Sequence, residues 1–270
     1  MPCLLKNATH ATPSATIQAK RQPSSLPSWW HGDYVRDSVL HILFPSKCYS
    51  CGVPMGAADN KRLCSSCMDQ VNSIVSPLCI RCGAGLSAGS GCEDKFCSLC
   101  LTCQPRFDRA RSLVYYKDPV RSLLHKLKFQ ADTRAAAALA SVFSDVCMTY
   151  RQNEYDLIVP VPLFRSRLQK RGLNQALVLS QILFADDSKT IDPTALIRVR
   201  NTVAQTELSG SERRQNLKGA FKTNPKSDLA GKKICLVDDI YTTGTTVSEC
   251  AVVLKRARAS RVDVLTVARA

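Results

Sequence analysis

The sequence predicts an α/β fold, a parallel sheet flanked by helices, that follows a small all-cysteine zinc-ribbon module. After Pro105, apolar runs typical of buried strands alternate with segments whose apolar residues recur at helical spacing, the pattern of a parallel sheet. Before it, ten of the 14 cysteines lie between Cys48 and Cys103. We therefore expect three parts: a disordered tail with a short amphipathic helix at 1–44, the cysteine-rich module at 45–107, and the α/β domain at 108–270.

The chain is strongly basic. Its 37 lysines and arginines outnumber 22 aspartates and glutamates, which gives a formal net charge of +15. A surface of this charge attracts polyanions such as nucleic acid or phosphorylated metabolites. The apolar runs are far shorter than the roughly 20 residues of a membrane-spanning helix, and the Ser/Thr/Pro-rich N-terminus lacks the apolar stretch of a signal peptide. We therefore expect a cytoplasmic protein without a membrane segment.

The cysteines of the module form Cys-x-x-Cys pairs. Each pair brings two thiolates of one tight turn to the same metal ion, and two pairs complete a tetrahedral site. In a reducing compartment, metal binding is favoured over disulfides. A four-thiolate site has no open position for substrate, so we expect structural Zn²⁺. The predicted ligands are the first cysteine cluster (Cys48, Cys51, Cys64 and Cys67) and the second cysteine cluster (Cys79, Cys82, Cys97 and Cys100).

The second cysteine cluster leaves alternatives open. Cys92 and Cys103 are left over, and either could replace a ligand, so spacing alone does not decide the number of zinc ions. Cys97, Cys100 and Cys103 also have ferredoxin-like spacing, which would suit an iron–sulfur cluster. The proline that commonly follows the last cysteine of that motif is replaced by Gln104, which favours zinc.

The α/β domain is predicted element by element from its apolar pattern. Residues 198–230 are polar and basic with weak periodicity, and we expect them to include a mobile loop. The predicted order is a strand at 111–116, a helix at 120–127, a helix from Asp132 or Thr133, a strand at 156–163, a helix at 172–184, a strand at 233–237, a helix at 247–254 and a strand at 262–267.

The most specific motif runs from Ile234 to Thr246, where an apolar strand is followed by two acids, a small-residue loop and a helix. Ligands of open α/β sheets bind at this end of the strands, and a helix N-terminus with threonine hydroxyls suits a phosphate. Two isolated acids would more simply form a solvated turn, with a threonine as the helix cap. The predicted site residues are Asp238, Asp239 and the threonine loop (Thr242, Thr243, Gly244, Thr245 and Thr246).

This motif resembles the PRPP-binding motif of type I phosphoribosyltransferases, where PRPP is 5-phosphoribosyl 1-pyrophosphate. The resemblance implies that Asp238 and Asp239 contact the ribose hydroxyls and that the threonine loop binds the 5′-phosphate. From their chemistry, the two acids could instead hold Mg²⁺ through water, and we expect this ion to be bound together with PRPP.

A wider resemblance covers about residues 44–270. Beside the cysteine pairs, the matching positions extend through the α/β domain, and together they resemble the ComF family, including the GntX-like proteins. The resemblance implies a zinc finger fused to a phosphoribosyltransferase-like domain, and a role in natural competence, the uptake and processing of transforming DNA. The matching positions are Leu127-Lys128, Pro160–Pro162, Arg165, Arg167, Arg171-Gly172, Asn174-Gln175, Arg198, Thr202, Gln205, Leu208, Arg213, Asn216 and Gly219–Phe221.

Two basic segments could serve an anionic ligand. Arg165, Arg167, Lys170 and Arg171 follow a strand end, and we expect a basic loop that contacts pyrophosphate or a nucleic-acid backbone. A merely solvated basic stretch is the simpler alternative. In a phosphoribosyltransferase-like fold, residues 198–214 could close over the ligand as a hood.

The sequence leaves three functions open. An enzyme would transfer the phosphoribosyl group of PRPP to an acceptor, but the sequence shows no evident general base and does not identify the acceptor. A non-catalytic module would sense PRPP or a related phosphorylated sugar, or bind single-stranded DNA, with competence-machinery proteins as further partners. A purine-salvage or amidophosphoribosyltransferase-like enzyme is weaker, because the latter would need an N-terminal glutaminase domain.

Overall fold

Seven strands are present in the part of the chain that the computed structural model describes. Five of them form a parallel sheet in the order β1-β7-β6-β2-β3, which confirms the predicted α/β fold class. The other two, β4 and β5, form an antiparallel pair. The bounds are Arg109–Tyr115 for β1, Leu157–Pro160 for β2, Thr190–Ile191 for β3, Leu196–Arg198 for β4, Phe221–Thr223 for β5, Lys233–Tyr241 for β6 and Arg261–Arg269 for β7.

The described residues are 46–56, 62–86, 94–151, 155–185, 190–202 and 215–270. The expected disordered tail and amphipathic helix at 1–44, Cys92 and most of the expected hood therefore lie outside them. Pro45–Ala270 form one compact unit. Among the described residues, the helices are too short or too polar to cross a membrane.

Besides a helical segment at 215–217, seven helices with defined bounds accompany the strands within the described residues. α1 and α2 are short and follow cysteines of the two clusters, whereas the other five belong to the α/β domain. The bounds are Ser65–Asp69 for α1, Ser98–Cys103 for α2, Val120–Gln130 for α3, Thr133–Arg151 for α4, Arg165–Arg171 for α5, Gln175–Leu183 for α6 and Thr245–Arg256 for α7.

Local chemistry explains where the elements differ from the predictions. β2 ends at Pro160, earlier than expected: the Val161 N–H still donates to the Val237 carbonyl, but Pro162 cannot donate to a ladder. The helix expected at 172–184 starts only at Gln175: Gly172, with φ 76°, ends α5, and Asn174 caps α6 by accepting from the Ala176 N–H at 3.1 Å. β6 continues to Tyr241, so both acids lie within the strand.

The two faces of the sheet bury different parts of the cysteine module. On one face, Cys48, Leu63 and Cys67 share a core with α3, α4 and α6. On the other face, Cys79, Cys82 and Cys100 share a core with α7. The cysteine module and the α/β domain are therefore joined through two hydrophobic cores rather than through a linker.

A shared core makes a leucine of the cysteine module important for the whole unit. Leu63 is 1% exposed, so we expect Leu63→Ala to lower the free energy of unfolding by about 2–5 kcal/mol in urea denaturation. The matched control is Leu99→Ala, since Leu99 is 68% exposed, and its cost should stay within about 0.5 kcal/mol. Equal effects of the two substitutions would contradict the shared core.

Candidate functional site

The two acids of the motif lie side by side at the carboxyl end of β6, in the middle of the sheet. Asp239 is buried, and its Oδ2 lies 3.7 Å from Lys128 Nζ of α3 and 3.5 Å from Gln175 Nε2 of α6. Asp238 is half-buried, and its Oδ1 accepts a hydrogen bond from the Asp239 N–H at 2.9 Å. Burial and the negative charge of Asp239 raise the pKa of Asp238 well above its usual range.

The threonine loop joins these acids to α7. Gly244 has φ 72° and stands immediately before the helix. A Cβ at this position would lie 2.6 Å from Cζ of Tyr241 and would overlap its hydroxyl, so both backbone and space require glycine. Thr243 and Thr245 share a hydrogen bond of 2.8 Å between their hydroxyls. Threonine hydroxyls therefore lie at the start of the 12-residue helix α7, where the first N–H groups of a helix have no partner within it and suit an anion such as phosphate.

Cationic side chains adjoin the acids. Arg171 of α5 interacts electrostatically with Asp239 and Asp238, although burial lowers the pKa of its guanidinium. Arg198 is buried and donates to the Thr202 hydroxyl, while Arg167 donates to the Thr202 carbonyl. Burial and the neighbouring Arg167 lower the pKa of Arg198. This grouping of positive charge beside a carboxylate pair suits a polyanion that carries hydroxyl groups.

The basic segment differs from its prediction. Residues 165–171 form a helix, not a loop, because Arg, Leu, Gln and Lys are good helix formers and Gly172 supplies the left-handed C-cap. The helix separates the four predicted residues into two groups. Arg167 and Arg171 are half-buried next to the site, whereas Arg165 and Lys170 are exposed.

Three further residues reach the site without having been given a role. Lys128, Gln175 and Arg198 matched the family pattern, but the sequence did not show that they contact or approach the acids. Lys128 is far from Asp239 in sequence but comes within 3.7 Å of it, and Arg198 interacts electrostatically with Asp238. Gln175 follows the helix cap Asn174, and its Oε1 is buried among the described residues without a hydrogen-bond partner. A ligand hydroxyl could supply one.

The first and second cysteine clusters have the geometry of metal sites. Within each, the four sulfur atoms lie within 4.8 Å of one another. The Sγ atoms of Cys51 and Cys64 are 3.7 Å apart, and those of Cys82 and Cys97 are 3.6 Å apart. Zn–S bonds of about 2.3 Å in a tetrahedron place neighbouring sulfurs about 3.8 Å apart, so both clusters fit zinc.

Backbone N–H groups prepare one thiol of each cluster for metal binding. Burial disfavours ionisation of Cys48, but N–H donors of Cys51 and Cys64 outweigh it and lower the pKa of this thiol to about 6. Cys79 is in the same position: N–H donors of Cys97 and Cys82 overcome burial and lower its pKa to about 6. Thiolates are the form that binds metal.

Cys103 does not belong to the second cysteine cluster. It lies at the exposed end of α2, whereas Cys97 and Cys100 share their cluster with Cys79 and Cys82. The ferredoxin-like set of Cys97, Cys100 and Cys103 is therefore not assembled, and the iron–sulfur interpretation loses its support.

Comparisons with known proteins agree with this geometry. Residues 39–104 match the family model of a double zinc ribbon domain, and residues 137–270 match that of a phosphoribosyl transferase domain. The chain is 34% identical over 236 residues to Competence protein F of Haemophilus influenzae, across 84% of this chain and 98% of that protein. The chain belongs to the ComF family.

Other relatives support the same assignment and confirm the resemblance found in the sequence. DNA utilization protein YhgH of Salmonella typhi is 37% identical over 232 residues, which cover 84% of this chain and 99% of that protein. Competence protein ComFC of Bacillus subtilis is 29% identical over 217 residues, 78% of this chain and 85% of that protein. The ComF chain thus combines a double zinc ribbon with a phosphoribosyltransferase-type domain.

The clusters predict a metal content. Protein purified without chelator should contain two zinc ions per chain, and Cys64→Ser and Cys97→Ser should each reduce this to one, because each removes one of four thiolates. Cys103→Ser is the matched control and should retain two. Metal analysis by mass spectrometry measures all four proteins; iron in place of zinc, or loss of metal from Cys103→Ser, would contradict the assignment.

Proposed function

We propose that this ComF protein binds PRPP at the end of β6 and uses it in the uptake or processing of DNA. The observation that carries the proposal is the joining of three features at one sheet edge. They are the paired acids Asp238 and Asp239, the threonine loop at the start of α7, and the cations of α3 and α5. Each suits a different part of PRPP.

The acids suit the ribose. Carboxylate oxygens accept hydrogen bonds from a 1,2-diol, and hydrogen bonds to a charged group are stronger than neutral ones. Asp239 is held by Lys128 at 3.7 Å and Gln175 at 3.5 Å, so one carboxylate of the pair has a defined orientation before a sugar arrives. Positioning of this kind limits the entropy lost on binding.

The threonine loop suits the 5′-phosphate. Gly244 permits close approach of the backbone, and α7 presents N–H groups whose dipoles favour an anion. Thr242 and Thr243 are exposed at this end of the helix, where their hydroxyls can donate to phosphate oxygens.

The cations suit the pyrophosphate. Arg171 and Lys128 approach the acids from two different helices, and Arg198, which has Arg167 as a charged neighbour, interacts electrostatically with Asp238. Bound with PRPP, Mg²⁺ would neutralise part of the diphosphate charge, and carboxylate oxygens such as those of Asp238 and Asp239 are ligands that this ion accepts. The arginines remain charged at every physiological pH, so they hold the diphosphate independently of proton uptake.

Phosphoribosyl transfer is the reaction class that this arrangement serves. The bond between C1 of the ribose and the pyrophosphate oxygen breaks, pyrophosphate leaves with the electron pair, and a nucleophile of the acceptor forms a bond to C1. The residues of the chain would act by positioning and by stabilising the negative charge that develops on pyrophosphate.

The cellular role rests on the relatives. The proteins named Competence protein F and DNA utilization protein YhgH align with this chain over 98% and 99% of their lengths. Together with the net charge of +15, this similarity supports a role near DNA, and we place that role in the cytoplasm.

Loss of the acids should remove PRPP binding. We expect the double variant Asp238→Asn/Asp239→Asn to raise the Kd for PRPP with Mg²⁺ about a thousandfold, because it removes two charged hydrogen bonds that contribute about 1.5–3 kcal/mol each. Isothermal titration calorimetry measures the change, and thermal unfolding of both proteins confirms that the variant is folded.

Asp228→Asn is the matched control for this titration, because Asp228 is exposed and pairs with Lys232 rather than with the site. Its affinity should equal that of the wild type. Absence of PRPP binding in the wild type would sink the proposal, and salt-sensitive binding of single-stranded DNA that survives the double substitution would favour a nucleic-acid module instead.

Removal of one cation should weaken the contacts to the pyrophosphate of PRPP but not those to its ribose 5-phosphate part. We expect Arg171→Met to raise the Kd for PRPP about tenfold, the effect of losing one charge-assisted contact, and to change that for ribose 5-phosphate less than about twofold. Lys226→Met removes an exposed charge elsewhere and should change neither. Equal losses for both ligands in Arg171→Met would place the arginine outside the pyrophosphate subsite.

A further inference from the structure

Three side chains form a row across the carboxyl ends of β1, β7 and β6. Tyr115 is in register with Arg269, and Arg269 is in register with Tyr241. In a parallel sheet, residues in register on neighbouring strands point to the same side. That side faces the second cysteine cluster: a Cβ at Gly85, close to that cluster in sequence, would lie 2.6 Å from the Tyr115 hydroxyl.

Arg269 connects this row to the second cysteine cluster. Its Nη1 donates to the Cys82 carbonyl at 2.9 Å, and its Nη2 lies 3.6 Å from the Cys82 sulfur. The same guanidinium lies over the Tyr241 ring, with its central carbon 4.4 Å from the ring centroid. One side chain therefore touches a cysteine ligand and the residue that precedes the threonine loop.

Tyr241 contacts both Arg269 and the threonine loop. It is 5% exposed, and Phe107 meets its ring edge-on at 6.3 Å between centroids. Its phenol packs directly against Gly244, because a Cβ there would lie 2.6 Å from Cζ. The Arg106 N–H also donates to the Ser248 hydroxyl in the first turn of α7, at 3.2 Å. The backbone that would hold a phosphate thus rests on a tyrosine that Arg269 holds in place.

We infer that Arg269 is a positioning residue through which the second cysteine cluster sets the conformation of the threonine loop, so that loss of its zinc weakens phosphate binding. The effect on binding rests on the proposed function, whereas the effect on the loop does not. A zinc ion with four thiolates carries a net charge of about −2, which the guanidinium complements. Without metal the four cysteines are no longer held at one point, and the Cys82 carbonyl and sulfur that Arg269 contacts lose their fixed position.

The first cysteine cluster has a different connection. It packs on the opposite face of the sheet, where Lys126 Nζ donates to the Tyr49 carbonyl at 2.6 Å and lies 4.6 Å from the Tyr49 ring. Its described contacts lead to α3 and α4 rather than to Tyr241. The two zinc sites therefore differ in what they position.

Amide hydrogen exchange of the full chain tests the coupling without any ligand. In peptides that cover 242–246, we expect about tenfold faster exchange in Cys97→Ser, which removes the second zinc site, and in Arg269→Met, which keeps all eight thiols. Arg269→Lys keeps the charge and one donor, so its exchange should be intermediate. Exchange in peptides of β2 should not change, which separates this effect from general destabilisation.

Arg261→Met is the matched control for this experiment. Arg261 lies at the other end of β7 and makes charged hydrogen bonds of its own, to Asp263 at 3.0 Å. Its removal should leave exchange of the threonine loop as in the wild type. Unchanged exchange in Arg269→Met would overturn the inference, whatever Cys97→Ser shows, and so would an equal increase in Arg261→Met.

Titration with PRPP and Mg²⁺ then separates the coupling from the proposed function. We expect Arg269→Met to raise the Kd for PRPP about tenfold, or ~1.4 kcal/mol. Equal affinities of the wild type and Arg269→Met would overturn the effect on binding. If the wild type does not bind PRPP and exchange still changes as expected, the proposed function fails while the coupling of zinc site and loop stands.

Discussion

The electrostatic cost of two adjacent carboxylates on the central strand is the main constraint on this structure. Like charges at such close range raise each other's cost of ionisation, and an uncompensated buried charge would cost several kcal/mol. Three helices compensate these charges, since α3 supplies Lys128, α6 supplies Gln175 and α5 supplies Arg171. One dipeptide, Asp238-Asp239, therefore interacts with side chains of all three. Because the cations exceed what one aspartate pair needs, the edge of the sheet is left electrostatically suited to an anion that also carries hydroxyl groups.

The zinc ribbon is built into this arrangement rather than attached to it. A module of this size buries too little apolar surface to fold alone, and metal usually supplies the missing free energy. Here the first and second cysteine clusters also use the two faces of the sheet, and Cys48 and Cys79 are buried in different cores. Metal binding, core packing and the geometry of the sheet edge are therefore parts of a single folding unit, and the ribbon has a structural task even apart from any partner that it binds.

The features that depend on short, continuous stretches of sequence could be predicted from the sequence alone. The cysteine pairs and the stretch from Ile234 to Thr246 are each continuous, so spacing and residue type were sufficient to predict both clusters and the turn between β6 and α7. The sequence could not show that Lys128 reaches Asp239, because that contact depends on how α3 packs. It also misassigned residues 165–171 as a loop: their charge suggested solvent, but helix propensity and the Gly172 cap decide their backbone. The placement of the two clusters on opposite faces has no local signal at all.

Because Tyr241 packs closely on Gly244, the substitutions that these two positions tolerate depend on each other. A side chain at 244 requires that the phenol at 241 first become smaller, and even then the φ of 72° admits little beyond asparagine or aspartate. A smaller residue at 241 would in turn leave Arg269 without its aromatic partner. Substitution at any one of these three sites is therefore constrained by the other two. Loss of zinc from the second cysteine cluster would relax the constraint on Arg269 and Tyr241, whereas the backbone would still restrict position 244.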